Sequence, residues 1–74
     1  MPVDVELFGQ FAVGRQKRTT LNLEQPVTVR DVSVLVGLDP EDVGLVSIDG
    51  VQSEVDDPVP SDCRLCLFPP MTGG

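Results

Sequence analysis

Histidine is absent from this sequence of 74 residues. Histidine is the usual general base near neutral pH and the commonest metal ligand, so its absence excludes Ser-His and Cys-His catalytic pairs within the chain. Aromatic residues are scarce as well, since the chain has three phenylalanines and no tyrosine or tryptophan. A chain of this length forms one domain with a thin core. We therefore expect a binding or carrier module rather than an enzyme with its own active site.

Basic residues and long apolar runs are also in short supply. Five Lys and Arg residues stand against twelve Asp and Glu residues, giving a net charge of −7, and such a surface repels nucleic acid. No apolar stretch approaches the roughly 20 residues that span a membrane, and no basic, apolar leader opens the chain. We expect a cytoplasmic protein with no membrane or nucleic-acid partner. The acidity serves solubility or, alternatively, matches a partner with a basic docking face.

The hydrophobic pattern predicts the element order β-β-α-β-β-β and hence an α+β domain. Strands are predicted at residues 3–8, 19–24, 45–48, 51–55 and 64–68. The first two are expected to pair as an antiparallel hairpin, and Asp49-Gly50 is a strong hairpin-turn signal. Asp39 followed by Pro40 indicates a single helical turn. The segments 9–18 and 56–62 are predicted loops.

One helix is predicted between the second and third strands. Thr28 and Asp31 have the spacing of a capping box, and Gly37 stands where a glycine commonly ends a helix. The apolar stripe expected to face the sheet is Val29, Val32, Leu35 and Val36. Valine is a poor helix former, so packing against the sheet is expected to hold this helix.

The cysteines and the acidic loop are the candidate metal or redox sites of the sequence. Cys63 and Cys66 form a CxxC motif, but a strand would place their side chains on opposite faces, and zinc would need two further ligands. We expect two free thiols and no metal site; if Cys63 lies in the preceding turn, the two thiols come closer together. Asp56, Asp57 and Asp62 are expected to be solvated loop acids.

A docking face is predicted on the side of the sheet away from the helix. Phe8, Cys66 and Phe68 alternate out of phase with the core valines and leucines. If the first and last strands are neighbours, these side chains form one apolar patch that no helix covers. The competing interpretation is a pair of isolated exposed aromatic rings.

The sequence ends in Leu-Phe-Pro-Pro-Met-Thr-Gly-Gly. Pro69 and Pro70 end strand pairing and favour stiff polyproline II structure. Gly73 and Gly74 have no Cβ and therefore fit a channel too narrow for other residues. The carboxylate of Gly74 would then be the group presented for chemistry, once it is activated as an acyl adenylate. A frayed terminus is the alternative.

This element order and this ending resemble the β-grasp, ubiquitin-like sulfur carriers of the MoaD and ThiS types. The Phe-Pro-Pro-x-x-Gly-Gly ending is most similar to that of the small subunit of molybdopterin synthase. The resemblance implies a β-grasp domain over residues 1–68, with a mixed sheet of four to five strands and one main helix on one face. It implies a flexible diglycine tail over residues 69–74, formed by Pro69, Pro70, Met71, Thr72, Gly73 and Gly74.

The resemblance also implies a function and a set of partners. An E1-like adenylating enzyme uses ATP and Mg to activate Gly74, and a sulfur donor enzyme then converts it to a thiocarboxylate. The large catalytic subunit of molybdopterin synthase takes the sulfur for the molybdenum or tungsten cofactor, in a complex of two small and two large subunits. The chain itself would be a carrier that binds no cofactor. Phe8 and Phe68 match positions of the apolar contact face of that family.

Two departures from the family pattern keep alternatives open. Ser61-Asp62-Cys63 stands where the family often has an Asp-Gly-Asp turn, and the irregular segment 9–18 is similar to that of the thiamine-type carriers. The alternatives are a sulfur carrier of another pathway, such as the thiamine type, and a ubiquitin-like modifier that forms isopeptide bonds. In a modifier, Lys17 alone would support chain growth. A third is a non-covalent β-grasp interaction module.

Overall fold

A computed structural model describes residues 2–70, which form a five-stranded mixed sheet covered on one face by a helix. The strands are β1 (Pro2–Leu7), β2 (Arg18–Asn22), β3 (Leu45–Ile48), β4 (Val51–Ser53) and β5 (Cys63–Phe68), and the helix is α1 (Val29–Leu35). Short 3₁₀ helices occupy Gly9–Ala12 and Pro40–Asp42. The α+β class and the element order predicted from the sequence are confirmed.

The first and last strands lie side by side in the middle of the sheet. The strand order is β2-β1-β5-β3-β4. β1 pairs with β2 as the predicted antiparallel hairpin and with β5 in parallel, in a register that runs from Val3 opposite Cys63 to Leu7 opposite Leu67. β3 is antiparallel to both β4 and β5. The first and last strands therefore form the central ladder, and because they are parallel, Pro2 and Phe68 lie at its opposite ends.

The core fills the space between α1 and one face of the sheet. Alternate residues of β1 and β5 point into it, and α1 supplies the opposite wall. Its buried members include Val3, Val5, Leu7, Val29, Val32, Val46, Leu65 and Leu67. Phe11, from the first 3₁₀ helix, and Val59 are also buried members of this core.

The helix begins and ends as the sequence predicts. The Thr28 side chain accepts a hydrogen bond from the Asp31 backbone N–H at 3.3 Å, and the Thr28 N–H donates to Asp31 Oδ2 at 3.0 Å, which completes the capping box. After the helix, Gly37 has a φ of +86°, a conformation in which only glycine is free of strain. The two signals thus limit α1 to seven residues.

The predicted buried stripe of this helix was partly wrong. Leu35 remains 59% exposed, whereas Ser33 is fully buried and its hydroxyl donates to the Val29 carbonyl at 2.9 Å. At 100° per residue, Leu35 lies about 120° around the helix from Val29, whereas Ser33 lies only about 40° away. A seven-residue helix presents a narrow face to the sheet, and Leu35 falls outside it.

The connections also confirm some predictions and correct one. Asp49 and Gly50 both have positive φ, at 50° and 83°, which is the left-handed pair of a tight hairpin turn. The predicted loop 9–18 was wrong at its start, because Gly9–Ala12 forms a 3₁₀ helix that buries Phe11. Asp62 has a φ of 59°, and aspartate is one of the few residues that tolerate this region.

Across residues 2–70, no helix has both the length and the apolar character needed to cross a bilayer.

Two leucine variants test the packing of the domain. Leu65→Ala removes a fully buried side chain and should lower the free energy of unfolding by about 2–5 kcal/mol. Leu35→Ala, on the exposed side of α1, should change it by no more than about 0.5 kcal/mol. Urea unfolding followed by circular dichroism measures both, and losses of equal size would contradict the packing described for α1.

Candidate functional site

The aromatic pair Phe8 and Phe68 marks one end of the sheet, on the face away from α1. Phe8 directly follows β1 and Phe68 ends β5, and because these strands are parallel neighbours, the two rings come together. Their centroids are 4.4 Å apart with an interplanar angle of 13°, so the rings are stacked. Both side chains are half-buried. The two phenylalanines predicted to share a face are thus in direct contact.

Two neighbours enlarge this aromatic pair into an outer apolar patch, which we define as Phe8, Leu45, Cys66 and Phe68. Leu45 pairs with Phe68 across β3 and β5 and is 42% exposed. Cys66, a free thiol, lies on the same face two residues before Phe68 and is half-buried. The place of Leu45 in this patch was not predicted from the sequence, because it depends on the register of two strands that are distant in the chain.

Lys17 lies at the margin of the outer apolar patch. Its Nζ lies 5.9 Å from the centroid of the Phe8 ring, within the range of a cation–π contact. It is the one lysine of the sequence. The patch therefore has one positive group at its edge.

Glu6 is a buried carboxylate on the same outer face, beside the outer apolar patch. Strand alternation turns it away from the core, but it is only 6% exposed. Arg64 Nη2 contacts Glu6 Oε1 at 2.7 Å, and Arg18 Nε lies 3.7 Å from the same oxygen. The hydrogen bond from Arg64, with the nearby positive charges, holds the pKa of the Glu6 carboxyl below its ordinary value.

A shallow groove of about 440 Å³ runs along this polar part of the outer face. Its lining includes Glu6 with Arg18 and Arg64, and Asp4, whose carboxylate accepts a hydrogen bond from the Thr20 hydroxyl at 2.8 Å. These groups already satisfy one another. The groove therefore adds charge and polarity beside the outer apolar patch without presenting an unpaired ligand group.

The two cysteines lie on opposite faces of β5. Cys63 belongs to the core and is buried, whereas Cys66 lies on the outer face. Burial raises the pKa of the Cys63 thiol, which disfavours the reactive thiolate. Both are free thiols, so the CxxC spacing does not produce a disulfide in this fold.

Two acids of loop 56–62 have structural partners. Asp56 pairs with Arg30 at 2.9 Å, and the Asp57 carboxylate accepts a hydrogen bond from the Glu54 N–H at 2.9 Å. Within the part of the chain that the structure describes, no three acidic or cysteine side chains are grouped so that they could hold a metal ion.

The tail leaves the domain beside the outer apolar patch. β5 ends at Phe68, and Pro69 and Pro70 follow, the first half-buried and the second exposed. Gly9 and Gly44 lie directly against these prolines, and neither glycine was predicted to be part of the site. The predicted site residues Met71, Thr72, Gly73 and Gly74 lie outside the described residues.

The ion pair at Glu6 predicts a pH-dependent contribution to stability. Because the carboxyl pKa is lower in the folded state, the stabilisation is present above the ordinary value of 4.5 and is lost as the pH falls through the folded pKa. Glu6→Gln should therefore lower the melting temperature at pH 7, and its difference from wild type should shrink in acid. Glu24→Gln, which removes an exposed acid, is the control. A difference that stays constant from pH 7 to pH 3 would contradict this assignment.

Solved structures provide the comparison with known proteins. SAMP1 from Haloferax volcanii matches with a TM-score of 0.73 and 22% identity over 100% of both chains. A Pyrococcus furiosus protein provisionally assigned as molybdopterin converting factor, subunit 1, matches with a TM-score of 0.73 and 20% identity over 96% of this chain and 99% of its own. Subunits 1 and 2 of molybdopterin-converting factor from Helicobacter pylori 26695 form a complex, whose matched chain gives a TM-score of 0.60 and 16% identity over 100% of both chains.

No protein-family model and no curated protein sequence matches the chain. The structural matches nevertheless extend over nearly the whole length of this chain and of each neighbour. At this level of identity they establish architecture, and the chain has the β-grasp fold that its sequence predicts.

Proposed function

We propose that the chain is a MoaD-type sulfur carrier whose Gly74 is adenylated and then converted to a thiocarboxylate for molybdopterin synthesis. The observation that carries the proposal is the placement of the ending. The Phe-Pro-Pro-x-x-Gly-Gly segment continues directly from β5, a central strand of a β-grasp sheet. Its first residue, Phe68, belongs to the outer apolar patch. In the sequence, the tail thus follows directly from a residue of the outer apolar patch.

The proposed chemistry takes place on Gly74 and is performed by partner enzymes. An E1-like enzyme joins the Gly74 carboxylate to the AMP part of Mg-bound ATP, and pyrophosphate leaves. Sulfur at the oxidation level of sulfide, delivered by a donor enzyme, then attacks the acyl carbon and releases AMP. The thiocarboxylate passes its sulfur to the precursor held by a large catalytic subunit, and water restores the carboxylate. The cytoplasm, where ATP is found, is the proposed setting.

The described residues support a carrier role rather than catalysis by this chain. The buried Cys63 thiol is disfavoured as a nucleophile because burial raises its pKa. Glu6 is held in its charged form by Arg64 and Arg18, so it is poorly suited to act as a general base. The chemistry is therefore assigned to partners, and the domain supplies recognition and placement.

The outer apolar patch is the proposed docking surface for the large catalytic subunit. Phe8, Phe68 and Leu45 are partly exposed together at the end of the sheet from which the tail leaves. Stacked aromatic rings offer a rigid, largely apolar contact area. The Helicobacter pylori neighbour is itself a complex of subunits 1 and 2 of molybdopterin-converting factor, which supports a partner of the large-subunit type.

Intact-mass measurement tests the carrier chemistry. Protein produced with the cognate E1-like enzyme and sulfur donor should be heavier than the unmodified chain by the mass difference between one sulfur and one oxygen atom. A chain lacking Gly73 and Gly74 is the control and should remain unmodified under the same conditions. An intact chain that is never adenylated would sink the proposal.

Three further measurements separate the alternative functions. Higher-mass conjugates on an immunoblot, which disappear when Gly73 and Gly74 are deleted, would favour a ubiquitin-like modifier that forms isopeptide bonds. A thiocarboxylate that restores thiamine rather than molybdenum-cofactor synthesis would assign the chain to the thiamine-type carriers. Function that survives the deletion would indicate a non-covalent interaction module.

A phenylalanine variant tests the docking surface. Phe68→Ala removes one ring of the stacked pair and should weaken binding to the large subunit by roughly tenfold or more, as truncation of a central interface aromatic does. Val51→Ala is the control, because Val51 is 67% exposed on the edge strand β4. Isothermal titration calorimetry measures both affinities, and circular dichroism checks the fold. Equal affinities of the two variants would argue against the patch.

A further inference from the structure

Two glycines lie against the diproline at the point where the tail leaves the domain. Gly44 immediately precedes β3, and its N–H donates to the Phe68 carbonyl at 2.9 Å. Gly9 immediately follows Phe8 and begins the first 3₁₀ helix. The two belong to segments on either side of β5, since β1 and β3 are its two neighbours. We call Gly9 and Gly44 the glycine cradle.

Gly44 leaves no room for a side chain. A Cβ at this position would overlap the Cα of Pro70 and would lie 2.6 Å from the Pro70 nitrogen and 2.9 Å from the Pro69 carbonyl carbon. Real Cβ atoms essentially never come closer than 3.0 Å to such neighbours. All three atoms belong to the backbone, so rotation of a side chain cannot relieve the overlap. A residue other than glycine at position 44 would therefore displace the tail.

Gly9 is the second glycine against the diproline, and it leaves slightly more room than Gly44. A Cβ there would lie 3.1 Å from Cγ of Pro69, which is tight but not prohibitive. Gly9 also has a φ of 58°, a conformation that favours glycine for its own reasons. A substitution of Gly9 would therefore combine crowding against Pro69 with backbone strain. Gly44 does not have this complication, because its φ lies outside the left-handed region, so it is the cleaner residue to test.

The position of the diproline limits where Gly74 can reach. Proline fixes its own φ and stiffens the chain, so Pro69 and Pro70 transmit the direction that the cradle gives them. Four residues follow Pro70, and a chain of four residues spans at most about 14 Å. A displacement of Pro70 would therefore shift the region that the Gly74 carboxylate can reach in a docked partner.

We propose that Gly44 is a positioning residue for the tail: its missing side chain lets Pro69 and Pro70 lie on the start of β3 and so fixes the point from which residues 71–74 enter a partner's channel. This inference rests on the proposed function, because it concerns delivery of Gly74 to a partner's active site. It assigns to the folded domain a control over the tail that is separate from docking through the outer apolar patch.

Gly44→Ala is the direct test. The backbone conformation of residue 44 accepts alanine, so the variant should fold and keep a melting temperature close to that of wild type. Its kcat/KM with the E1-like enzyme should fall by roughly 10- to 100-fold, the scale of effect that small misplacements of reacting groups produce. Val51→Ala is the control, because Val51 is an exposed residue of the edge strand β4. It should keep wild-type kcat/KM.

A rescue experiment distinguishes tail position from general damage. With Pro69 and Pro70 both replaced by glycine, the tail no longer depends on the cradle, so Gly44→Ala should have little further effect in that background. In chains lacking Gly73 and Gly74, Gly44→Ala should leave the affinity for the large subunit unchanged. The positioning role would be overturned if Gly44→Ala lowered kcat/KM as much in the double-glycine background as in wild type. It would also be overturned if Gly44→Ala weakened large-subunit binding in the chain lacking Gly73 and Gly74.

A nuclear Overhauser effect gives a readout that does not depend on activity. The Hα protons of Gly44 and Pro70 should show a cross-peak in the wild-type chain, and Gly44→Ala should lose it. Wild type that is activated while Gly44→Ala keeps full kcat/KM would overturn this inference alone. Wild type that is never activated would overturn the proposed function and the delivery role with it, while the cross-peak would still decide whether the cradle holds the diproline.

Discussion

The parallel pairing of β1 with β5 is the constraint on which the rest of the molecule depends. It joins the first and last strands, and forming such a long-range ladder requires closing a loop that contains most of the chain. The buried side chains of both strands offset this cost, since Val5, Leu65 and Leu67 pack against the same helix. The same pairing brings Phe8 onto Phe68 and places the exit of the tail beside them.

Glu6 helps to specify that pairing. It lies on β1 and contacts Arg18 of β2 and Arg64 of β5, so one carboxylate connects three adjacent strands. Burying a charge is costly, and a buried ion pair is weak evidence for added stability. A slip of one residue, however, would turn Glu6 into the apolar core and leave it without these partners. The ion pair therefore disfavours wrong registers, even where its net contribution to stability is small.

The sequence predicted those features that depend on neighbours in the chain. The Thr28 capping box and the Asp49-Gly50 turn are local, and both are confirmed. The failures involve distant partners or short elements. Leu35 was misplaced because a seven-residue helix has a narrow buried face, and the cover over Glu6 comes from arginines on two other strands. The importance of Gly44 depends on which segment crosses it, and no pattern around residue 44 contains that information.

With catalysis assigned to partner enzymes, as proposed, these features explain how the domain can still affect the reaction. In the proposed carrier, the domain influences chemistry only by deciding where Gly74 can go, because catalysis belongs to the partners. With Gly74 as the proposed carrier residue, only four positions after Pro70, the proposed docking surface has to lie close to the point where the tail leaves. Phe68 meets this requirement, since it belongs to the outer apolar patch and immediately precedes Pro69. Binding free energy from the outer apolar patch then helps to hold the tail in a partner's channel. This requires that the diproline leaves the sheet in a fixed direction. A bare glycine backbone beneath the diproline supplies that direction.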